Sequence, residues 1–361
     1  MKLLEVEHLE VSFATPDGLV QAVRDISFDL EEGKTLGIAG ESGSGKSVAT
    51  QTITGLTQGA RVSGRALFEG VDLLTMSKEE LRTVRGAKIG MIFQDPLSSL
   101  HPYYKVGWQI VELIRAHEDV SKADAHKRAI ELLGLVGIPQ PARRVDEYPH
   151  QFSGGMRQRA MIAMALALNP TLLIADEPTT ALDVTVQAQI IDLMRRLQSE
   201  FQTAIIMITH DLGVIADMAD DVLIMYGGQI MEQAERRSAY HDPHHPYTVG
   251  LLESLPQLGA ETERLRPIPG QPPSLIHPPP GCPFNTRCRY VMPSCRQAPI
   301  PRQMVGAKHW SACRLPPTIL GVSEAAGAER ARFAGSARFA DTAGPDATSM
   351  STESLIDGTS P

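Results

Sequence analysis

Residues Gly40–Ser47 read GESGSGKS, and this octapeptide decides the fold. It matches the pattern GxxxxGK followed by Ser or Thr. A buried strand is predicted before it at Thr35–Ala39 (TLGIA), and a helix-compatible run follows it. Glycines let the chain turn so that backbone N–H groups point inward, and the N-terminus of a following helix favours an anion. The sequence therefore predicts a phosphate-binding loop (P-loop) between a strand and a helix of an α/β domain.

Side chains at the end of this loop suit a nucleoside triphosphate and its metal ion. The Lys46 ammonium would bridge the β- and γ-phosphates, and the Ser47 hydroxyl would bind Mg²⁺. The glycines before them allow the backbone to approach the phosphates closely. The residues predicted to bind the nucleotide in this loop are Gly40, Ser42, Gly43, Ser44, Gly45, Lys46 and Ser47.

A second apolar run ends in two acids. Leu172–Glu177 reads LLIADE, which predicts a buried strand that delivers Asp176 and Glu177 to a polar edge. Asp176 is suited to hold Mg²⁺ across from the P-loop hydroxyl, and Glu177 to orient or deprotonate an attacking water. His210 follows the next apolar run, Ala204–Thr209 (AIIMIT), where it could contact the γ-phosphate. These acids and the P-loop together predict hydrolysis of the terminal phosphate.

The remaining pattern of the first 237 residues completes an α/β domain. Ile89–Phe93 predicts a further buried strand, and Asp221–Ala234 predicts a hairpin that turns at its Gly-Gly pair. Leu3–Val6 and Val23–Leu30 alternate in polarity and predict an antiparallel edge. Residues 107–165 have a helical pattern. We therefore expect a P-loop α/β fold with a mixed sheet core, an antiparallel edge subdomain and an inserted helical subdomain.

Residues 152–156 read FSGGM, and with this motif the chain resembles the ATPase subunit of an ABC transporter. The resemblance rests on motifs in a fixed order: the P-loop, Gln94 in FQDP, FSGGM, ADEPTTALD and His210. FSGGM departs from the usual LSGGQ at its first and last positions but keeps the Ser-Gly-Gly core. In this family two ATPase domains pair head-to-tail, and each nucleotide lies between the P-loop of one domain and the signature motif of the other.

The resemblance also assigns roles residue by residue. The catalytic residues that it implies are Lys46, Gln94, Glu177 and His210. The Mg²⁺ ligands that it implies are Ser47, Gln94 and Asp176. The residues offered to the partner's ATP are Ser153, Gly154 and Gly155, with Asp183 beside the dimer seam. Phe13 holds the position of the aromatic residue that stacks on adenine, and a core phenylalanine is the alternative reading.

The net charge of −8 is divided unevenly along the chain. The 54 residues Arg264–Pro317 contain seven Arg, Lys308 and no Asp or Glu, so they carry +8 and the remainder carries −16. This stretch also holds 13 of the 26 prolines and all four cysteines. Its PPPGCPFNTRCRY and the upstream HPYTVGLLESLP resemble the C-terminal extension of oligopeptide/dipeptide importer ATPases. We expect an ATPase domain at 1–237, this extension at 238–320 and a disordered tail at 321–361.

The cysteines are spaced C-x5-C-x6-C-x17-C. Four thiols in a cytosolic type of chain are more typical of metal ligands than of disulfides. In some members of this importer group the extension resembles an iron–sulfur site, which implies a 4Fe–4S cluster on Cys282, Cys288, Cys295 and Cys313. Zinc is one alternative, and four ordinary buried cysteines are another. The cations near these cysteines in sequence suit an anionic cluster and are Arg287, Arg289, Arg296, Lys308 and Arg314.

The resemblance implies a chain that powers the import of di- or oligopeptides at the cytoplasmic face of the bacterial inner membrane. Its partners would be two transmembrane permease subunits, a second related ATPase subunit and, indirectly, an extracytoplasmic peptide-binding protein. No apolar run of transmembrane length and no signal peptide is recognised in the sequence, and the acidic composition argues against nucleic acid as a partner. The alternatives are the same importer with another cargo (a nickel chelate or glutathione) and a soluble ABC ATPase outside transport.

Overall fold

The computed structural model describes residues 1–95, 99–180, 182–255, 267–297, 299–316 and 320. The tail expected at 321–361 lies outside the described residues, as do positions 96–98 after Gln94 and position 181 before Leu182. Within the described ranges, no helix combines the length and the apolar character needed to cross a bilayer.

The strands of the described residues fall into two sheets. Their bounds are β1 (Lys2–Thr15), β2 (Gly18–Glu31), β3 (Thr35–Ala39), β4 (Ala60–Phe68), β5 (Val71–Asp72), β6 (Ile89–Ile92), β7 (Leu172–Asp176), β8 (Ala204–Thr209), β9 (Asp221–Tyr226), β10 (Gln229–Glu235), β11 (Gln303–Gly306) and β12 (His309–Ser311). The larger sheet has the order β11-β12-β10-β9-β3-β8-β7-β6, and the smaller has the order β2-β1-β4-β5.

The centre of the larger sheet is parallel, from β6 through β7, β8 and β3 to β9. Every residue of β3, β7 and β8 is buried, as their near-continuous apolar sequences predict for strands covered on both faces. Because these strands run in the same direction, their carboxyl ends meet at one edge. That edge carries the P-loop and the acids that follow β7.

The smaller sheet is antiparallel and packs against the larger one. It is built around the β1–β2 hairpin, which is longer than the two short strands expected from the sequence. Leu4, Leu9 and Ile26 of this hairpin share a buried core with Leu36 and Ile38 of β3. This core fixes the antiparallel sheet beside the P-loop strand, and the predicted fold class is confirmed.

The helices flank the larger sheet and form the inserted helical subdomain. Their bounds are α1 (Lys46–Ile53), α2 (Lys78–Val84), α3 (Val106–His117), α4 (Lys122–Leu135), α5 (Pro141–Arg144), α6 (Gly154–Ala165), α7 (Val184–Phe201), α8 (Leu212–Met218), α9 (Arg236–His241) and α10 (Pro246–Glu253). Short 3-10 turns lie at Leu73–Thr75, Pro149–Gln151 and Pro293–Arg296. The subdomain helices α3, α4 and α6 share one apolar core with β7 and α7.

Side chains at the helix starts explain where several helices begin. Ser121, Ser153 and Asp183 each accept a backbone N–H from the first turn of α4, α6 and α7. Short oxygen-bearing side chains are the preferred residues here, because they satisfy donors that the helix itself leaves free. Ser153 of the signature motif and Asp183 are therefore both N-cap residues. The helix that each one caps fixes its backbone conformation.

The C-terminal residues extend the larger sheet. We call residues 267–316 the cysteine segment; its strands β11 and β12 pair with one another, and β12 pairs with β10. Phe284 and Cys282 of this segment join a buried core with Tyr226 of β9 and Tyr247 of α10. Neither β11 nor β12 was expected from the sequence, because alternation over three or four residues is too short to register as a strand. The segment thus covers the β10 edge of the sheet.

A buried carboxylate holds the segment in place. The Glu232 side chain on β10 is 0% exposed. It accepts the backbone N–H groups of His244 (2.6 Å) and His245 (3.1 Å) before α10, and the His309 Nε2 of β12 (2.8 Å). One acid therefore links the core sheet, the start of α10 and the added strands. His245 caps this helix, since its side chain accepts the Tyr247 N–H at the start of Pro246–Glu253.

We expect Glu232→Gln to destabilise this docking. The amide would turn an N–H toward at least one of the buried N–H donors, and an unsatisfied buried polar group costs about 1–3 kcal/mol. Chemical denaturation should show a lower midpoint, and limited proteolysis should cut the cysteine segment faster. Glu235→Gln is the matched control, because Glu235 is exposed at the end of the same strand. Equal midpoints for wild type and Glu232→Gln would contradict the role assigned to the carboxylate.

Candidate functional site

The P-loop connects the end of β3 to the start of α1. Gly45 caps α1 with φ of 100°, and a Cβ there would strike the Ala22 carbonyl oxygen. Gly43 has φ of 75°, and a Cβ there would meet no atom within 4 Å. Only glycine adopts these angles readily. The loop is therefore tight against the hairpin at Gly45 and open at Gly43, as a cradle for an anion requires.

Lys46 is almost fully buried at the start of α1, with 4% of its surface exposed. Its Nζ donates to the carbonyl oxygens of Gly40 (2.7 Å) and Glu41 (2.9 Å), and to Ser44 Oγ (3.3 Å). Burial lowers the pKa of Lys46, while the nearby carboxylates act to raise it. The ammonium is thus folded against its own loop, in reach of any phosphate that enters the cradle.

The P-loop helix contacts the acidic end of β7 directly. Ser47 Oγ donates to Asp176 Oδ1 at 2.7 Å, across 129 residues of sequence. Burial raises the pKa of Asp176, the Ser47 hydrogen bond and the Lys46 charge lower it, and Glu177 adds to the rise. A hydroxyl and a carboxylate at this distance are two oxygen ligands of the kind that Mg²⁺ prefers.

Three further motifs converge on Glu177. Gln94 Nε2 donates to Glu177 Oε2 at 3.0 Å, Thr180 Oγ1 donates to the same oxygen at 2.8 Å, and His210 Nδ1 lies 3.5 Å from it. The Glu177 side chain is 14% exposed and the His210 side chain 59% exposed. Glu177 also has φ of 48°, an unusual angle for a residue other than glycine. Such backbone strain is found where a side chain must be aimed.

Two residues of this cluster were not expected from the sequence. Thr180 binds Glu177 as described, and Gln51 hydrogen-bonds to Asp176 from α1. Gln51 is four residues after Ser47, so it lies on the same face of the helix. Thr180 is three residues after Glu177 in a tight turn. Both spacings were visible in the sequence, but neither residue type signals a site by itself.

Among the described residues, no hydrogen bond joins Ser153, Gly154 or Gly155 of the signature motif to this cluster. Ser153 caps α6 by accepting the Met156 N–H at 3.3 Å, and Asp183 caps α7 by accepting the Val186 N–H at 2.9 Å. Gln158 Nε2 of α6 donates to the Pro178 carbonyl at 2.6 Å and so connects the signature helix to the end of β7. In the described part of the chain, Ser153 accepts hydrogen bonds from the backbone N–H groups of Met156 and Arg157, both in the first turn of α6.

The structure therefore sorts the predicted residues into two groups. Those that it brings together are Lys46, Ser47, Gln94, Asp176, Glu177 and His210. Among the described residues, no hydrogen bond joins the second group to that cluster. This group consists of Phe13, Ser153, Gly154, Gly155 and Asp183. Phe13 lies on β1 and is partly buried against the core between the two sheets.

The four cysteines lie around one small cavity. Cys282, Cys288, Cys295 and Cys313 line a space of about 20 Å³ together with Phe284 and His245. Burial raises the pKa of Cys282 to about 12 and that of Cys313 to about 11. All four are free thiols. Within the described ranges, no group of three or more His, Cys, Asp or Glu side chains is arranged to hold a metal ion.

His245 presents an unused polar atom in this region. Its Nδ1 accepts the Tyr247 N–H at 3.1 Å, so the ring proton belongs on Nε2. His245 Nε2 is buried and has no hydrogen-bond partner among the described residues. Burial lowers the pKa of His245 to about 3, so the ring is neutral. A buried N–H without an acceptor beside four thiols suits a cavity that receives an acceptor.

Two regions of the chain match models of known protein families. A family model described as "ABC transporter" matches residues 23–180, and one described as "Oligopeptide/dipeptide transporter, C-terminal region" matches residues 231–295. The first match covers the P-loop, the signature motif and the acids after β7. The second ends at Cys295, so Cys313 lies beyond it. The fold and the site together define an ABC ATPase, the ATP-binding subunit of a transporter.

Curated relatives narrow the class. The chain is 53% identical over 298 residues to the oligopeptide transport ATP-binding protein OppD of Salmonella typhimurium, with 82% of this chain and 89% of that protein covered. It is 57% identical to OppD of Bacillus subtilis, covering 81% and 82%, and 52% identical to the dipeptide transport ATP-binding protein DppD of Bacillus subtilis, covering 81% and 89%. The chain belongs to this family of oligopeptide/dipeptide transport ATP-binding proteins, and the predicted resemblance is confirmed.

Solved structures agree with the fold. The ATP-binding cassette MJ0796, in a dimeric post-hydrolysis state bound to ADP and phosphate, matches with a TM-score of 0.59 and 26% identity, covering 65% of this chain and 99% of that one. CbiO1 of Clostridium perfringens, part of an ABC transporter complex, matches with a TM-score of 0.57 and 29% identity, covering 66% and 90%. The matched part of this chain corresponds to an ATPase domain, and about a third of the chain lies outside the match.

We expect Ser47→Ala to weaken Mg²⁺-dependent nucleotide binding by about tenfold or more, because it removes an oxygen placed 2.7 Å from Asp176. Titration of ATP binding against Mg²⁺ concentration measures the effect. Ser47→Thr is the matched control, since it keeps the hydroxyl and should stay close to wild type. An unchanged Mg²⁺ dependence in the alanine variant would rule out the hydroxyl as a ligand.

Proposed function

We propose that this chain hydrolyses ATP to power the import of di- or oligopeptides through a bacterial ABC transporter. The observation that carries the proposal is the joint match of one chain to ATP-binding proteins named for oligopeptide and dipeptide transport, at 52–57% identity over more than four-fifths of its length. The match to the oligopeptide/dipeptide C-terminal region supports the same cargo class. The ATPase domain alone would support only an ABC ATPase of unspecified cargo.

The site suggests how hydrolysis proceeds. The P-loop N–H groups and Lys46 bind the β- and γ-phosphates, and Lys46 leaves its loop carbonyls to do so. Ser47, Asp176 and Gln94 are the side chains that would hold Mg²⁺, which neutralises charge on the phosphates when bound. Glu177 orients the attacking water and accepts its proton, and His210 lies beside it within reach of the γ-phosphate. Gln94 donates a hydrogen bond to Glu177, so it links the metal site to the base.

A second ATPase subunit completes each site. Ser153, Gly154 and Gly155 lie at the N-terminus of α6, where a hydroxyl and backbone N–H groups can face an anion. Their separation from the P-loop of the same chain supports their use by the ATP of a partner, which can be a related but distinct chain. The dimeric form of the matched cassette MJ0796 supports the same arrangement. Asp183 caps the neighbouring helix and would lie along the seam between subunits.

Transmembrane permeases would bind the helical subdomain. Tyr103, Tyr104 and Trp108 at the start of α3 are 83%, 44% and 40% exposed, and the rings of Tyr104 and Trp108 stack with centroids 4.2 Å apart. Exposed aromatic clusters are typical of protein interfaces. We place the chain at the cytoplasmic face of the inner membrane, held there by two permease subunits. A peptide-binding protein would deliver the cargo from the other side.

Glu177→Gln in the assembled transporter tests this function. The amide cannot accept the proton of water, so we expect ATP turnover and uptake of labelled peptide to fall at least about 100-fold while ATP still binds. Glu200→Gln, on the exposed end of α7, is the matched control and should transport normally. Turnover at the wild-type rate would refute the role of Glu177. Uptake of glutathione or a nickel chelate without peptide uptake by the wild-type complex would refute the peptide cargo.

The cysteine cavity supports a separate proposal about a cofactor. We propose that Cys282, Cys288, Cys295 and Cys313 hold a structural 4Fe–4S cluster, with zinc as the alternative. The supporting features are four thiols around one cavity, the unpartnered Nε2 of His245, and Arg314 in the lining of the same cavity. The residues fit in donor type and number, but the described thiols are not arranged to hold a metal ion, so binding a cluster would require them to rearrange and to lose their protons.

Anaerobic purification followed by iron, sulfide and zinc analysis tests the cysteine proposal. About four iron and four sulfide per chain, lost in Cys282→Ser, would support the cluster. About one zinc per chain without iron would support the alternative and overturn the cluster. Absence of all three elements would leave the thiols with a packing role only. Because Cys282 is the most strongly buried thiol of the set, unfolding of each variant should be measured alongside.

A further inference from the structure

The cysteine segment contacts the P-loop through one arginine. Arg287, between Cys282 and Cys288 in sequence, places Nη1 2.5 Å and Nη2 3.0 Å from the two carboxylate oxygens of Glu41. Glu41 is the second residue of the P-loop and lies 246 positions away in the chain. The pair is bidentate, which is the strongest geometry for an arginine and a carboxylate.

The guanidinium has no capacity left for another partner. Besides Glu41, Nη1 donates to the Tyr226 hydroxyl at 3.1 Å, Nη2 to the Ile268 carbonyl at 3.1 Å and Nε to the Pro269 carbonyl at 2.8 Å. These bonds use all five N–H groups. Burial by itself lowers the pKa of Arg287, but the hydrogen bonds that Arg287 donates to Glu41 and Tyr226 raise it overall. With 4% of its side chain exposed, the cation is fixed in charge and in place.

Glu41 is held at its backbone as well. Its N–H donates to the Tyr247 hydroxyl of α10 at 2.9 Å, and its carbonyl accepts from Lys46 Nζ at 2.9 Å and from the Ser44 N–H at 3.2 Å. The Tyr226 and Tyr247 rings pack with centroids 4.6 Å apart, and Phe284 of the cysteine segment packs on both at 5.2 Å. The residue that supports the resting Lys46 is thus itself held by C-terminal residues.

We propose that Arg287 is a positioning residue for ATP binding. Through Arg287, the cysteine segment holds the P-loop in the conformation that binds ATP. This inference rests on the proposed function as an ATPase. An anchored Glu41 keeps the loop in its open, phosphate-ready shape, so less order must be imposed when ATP arrives. Lys46 can then move from the Glu41 carbonyl to the phosphates while the loop stays in place. Since coupling is reciprocal, bound ATP also stabilises the docking of the cysteine segment.

Arg287→Ala in the full-length chain provides the first test. We expect its Kd for Mg-ATP to rise about tenfold, within the range of coupling between two sites. We also expect bound ATP to protect the cysteine segment from proteolysis in wild type and to lose that effect in the variant. Arg302→Ala is the matched control: Arg302 donates to the Asp25 carbonyl and stacks on Trp310 within the same segment, away from the P-loop. Its ATP affinity should match wild type.

A second variant keeps the test decisive if Arg287→Ala folds poorly. Glu41→Gln keeps the acceptors of Arg287 at Tyr226, Ile268 and Pro269 and removes the carboxylate charge together with one of its two acceptor oxygens. It should weaken ATP binding in the same direction, and the double variant should bind no more weakly than the worse single variant, because both cut one interaction. Additive losses, or wild-type Kd in folded Arg287→Ala, would overturn the inference.

Different outcomes would overturn the proposed function and the positioning role of Arg287. If the wild-type chain in its transporter neither binds nor hydrolyses ATP, the proposed function is wrong. If wild type turns over ATP and folded Arg287→Ala has the same Kd and the same ATP-dependent protection, only the positioning role is wrong. Arg287→Lys sharpens the second case, since lysine keeps the charge but cannot form the paired bonds, and we expect it to recover part of the affinity at most.

Discussion

The ammonium of Lys46 is buried at the centre of the site, and much of the surrounding structure compensates that charge. A cation removed from water needs partners, and Lys46 finds them in two loop carbonyls and a hydroxyl, with Asp176 and Glu177 nearby. The loop can offer its carbonyls only because glycines take angles closed to other residues. An anion that enters the loop can replace these carbonyls as partner of the ammonium.

Much of the fold followed from local sequence. Runs such as Thr35–Ala39 and Ala204–Thr209 are apolar throughout, so they predict strands buried on both faces, and the structure gives those bounds. The order of the motifs predicted which strands end at the site, because carboxyl ends of parallel strands share an edge. The structure places Ser47 Oγ 2.7 Å from Asp176 Oδ1 and Gln94 Nε2 3.0 Å from Glu177 Oε2. The chemical roles of these residues remain predictions.

The rest depended on contacts between distant parts of the chain, which spacing does not reveal. The +8 of residues 264–317 suggested cations around an anionic cluster. In the structure Arg287 pairs with Glu41, Arg289 with Glu253 and Lys308 with Glu31. Part of the positive charge therefore docks the segment onto the acidic body of its own chain. In the sequence, neither residue of such an ion pair can be distinguished from an ordinary charged surface residue.

The docking contacts make the cysteine segment a structural part of the ATPase. Glu232 binds it to β10, β12 continues the sheet and Arg287 reaches the P-loop, so three contacts of different kinds fix one short, strand-poor stretch. Such a stretch has little apolar core of its own and owes its order to these contacts. Whatever stabilises the cysteine cavity must then stabilise the position of Arg287, which lies between two of the cysteines. The state of that cavity and the shape of the P-loop are consequently parts of one equilibrium.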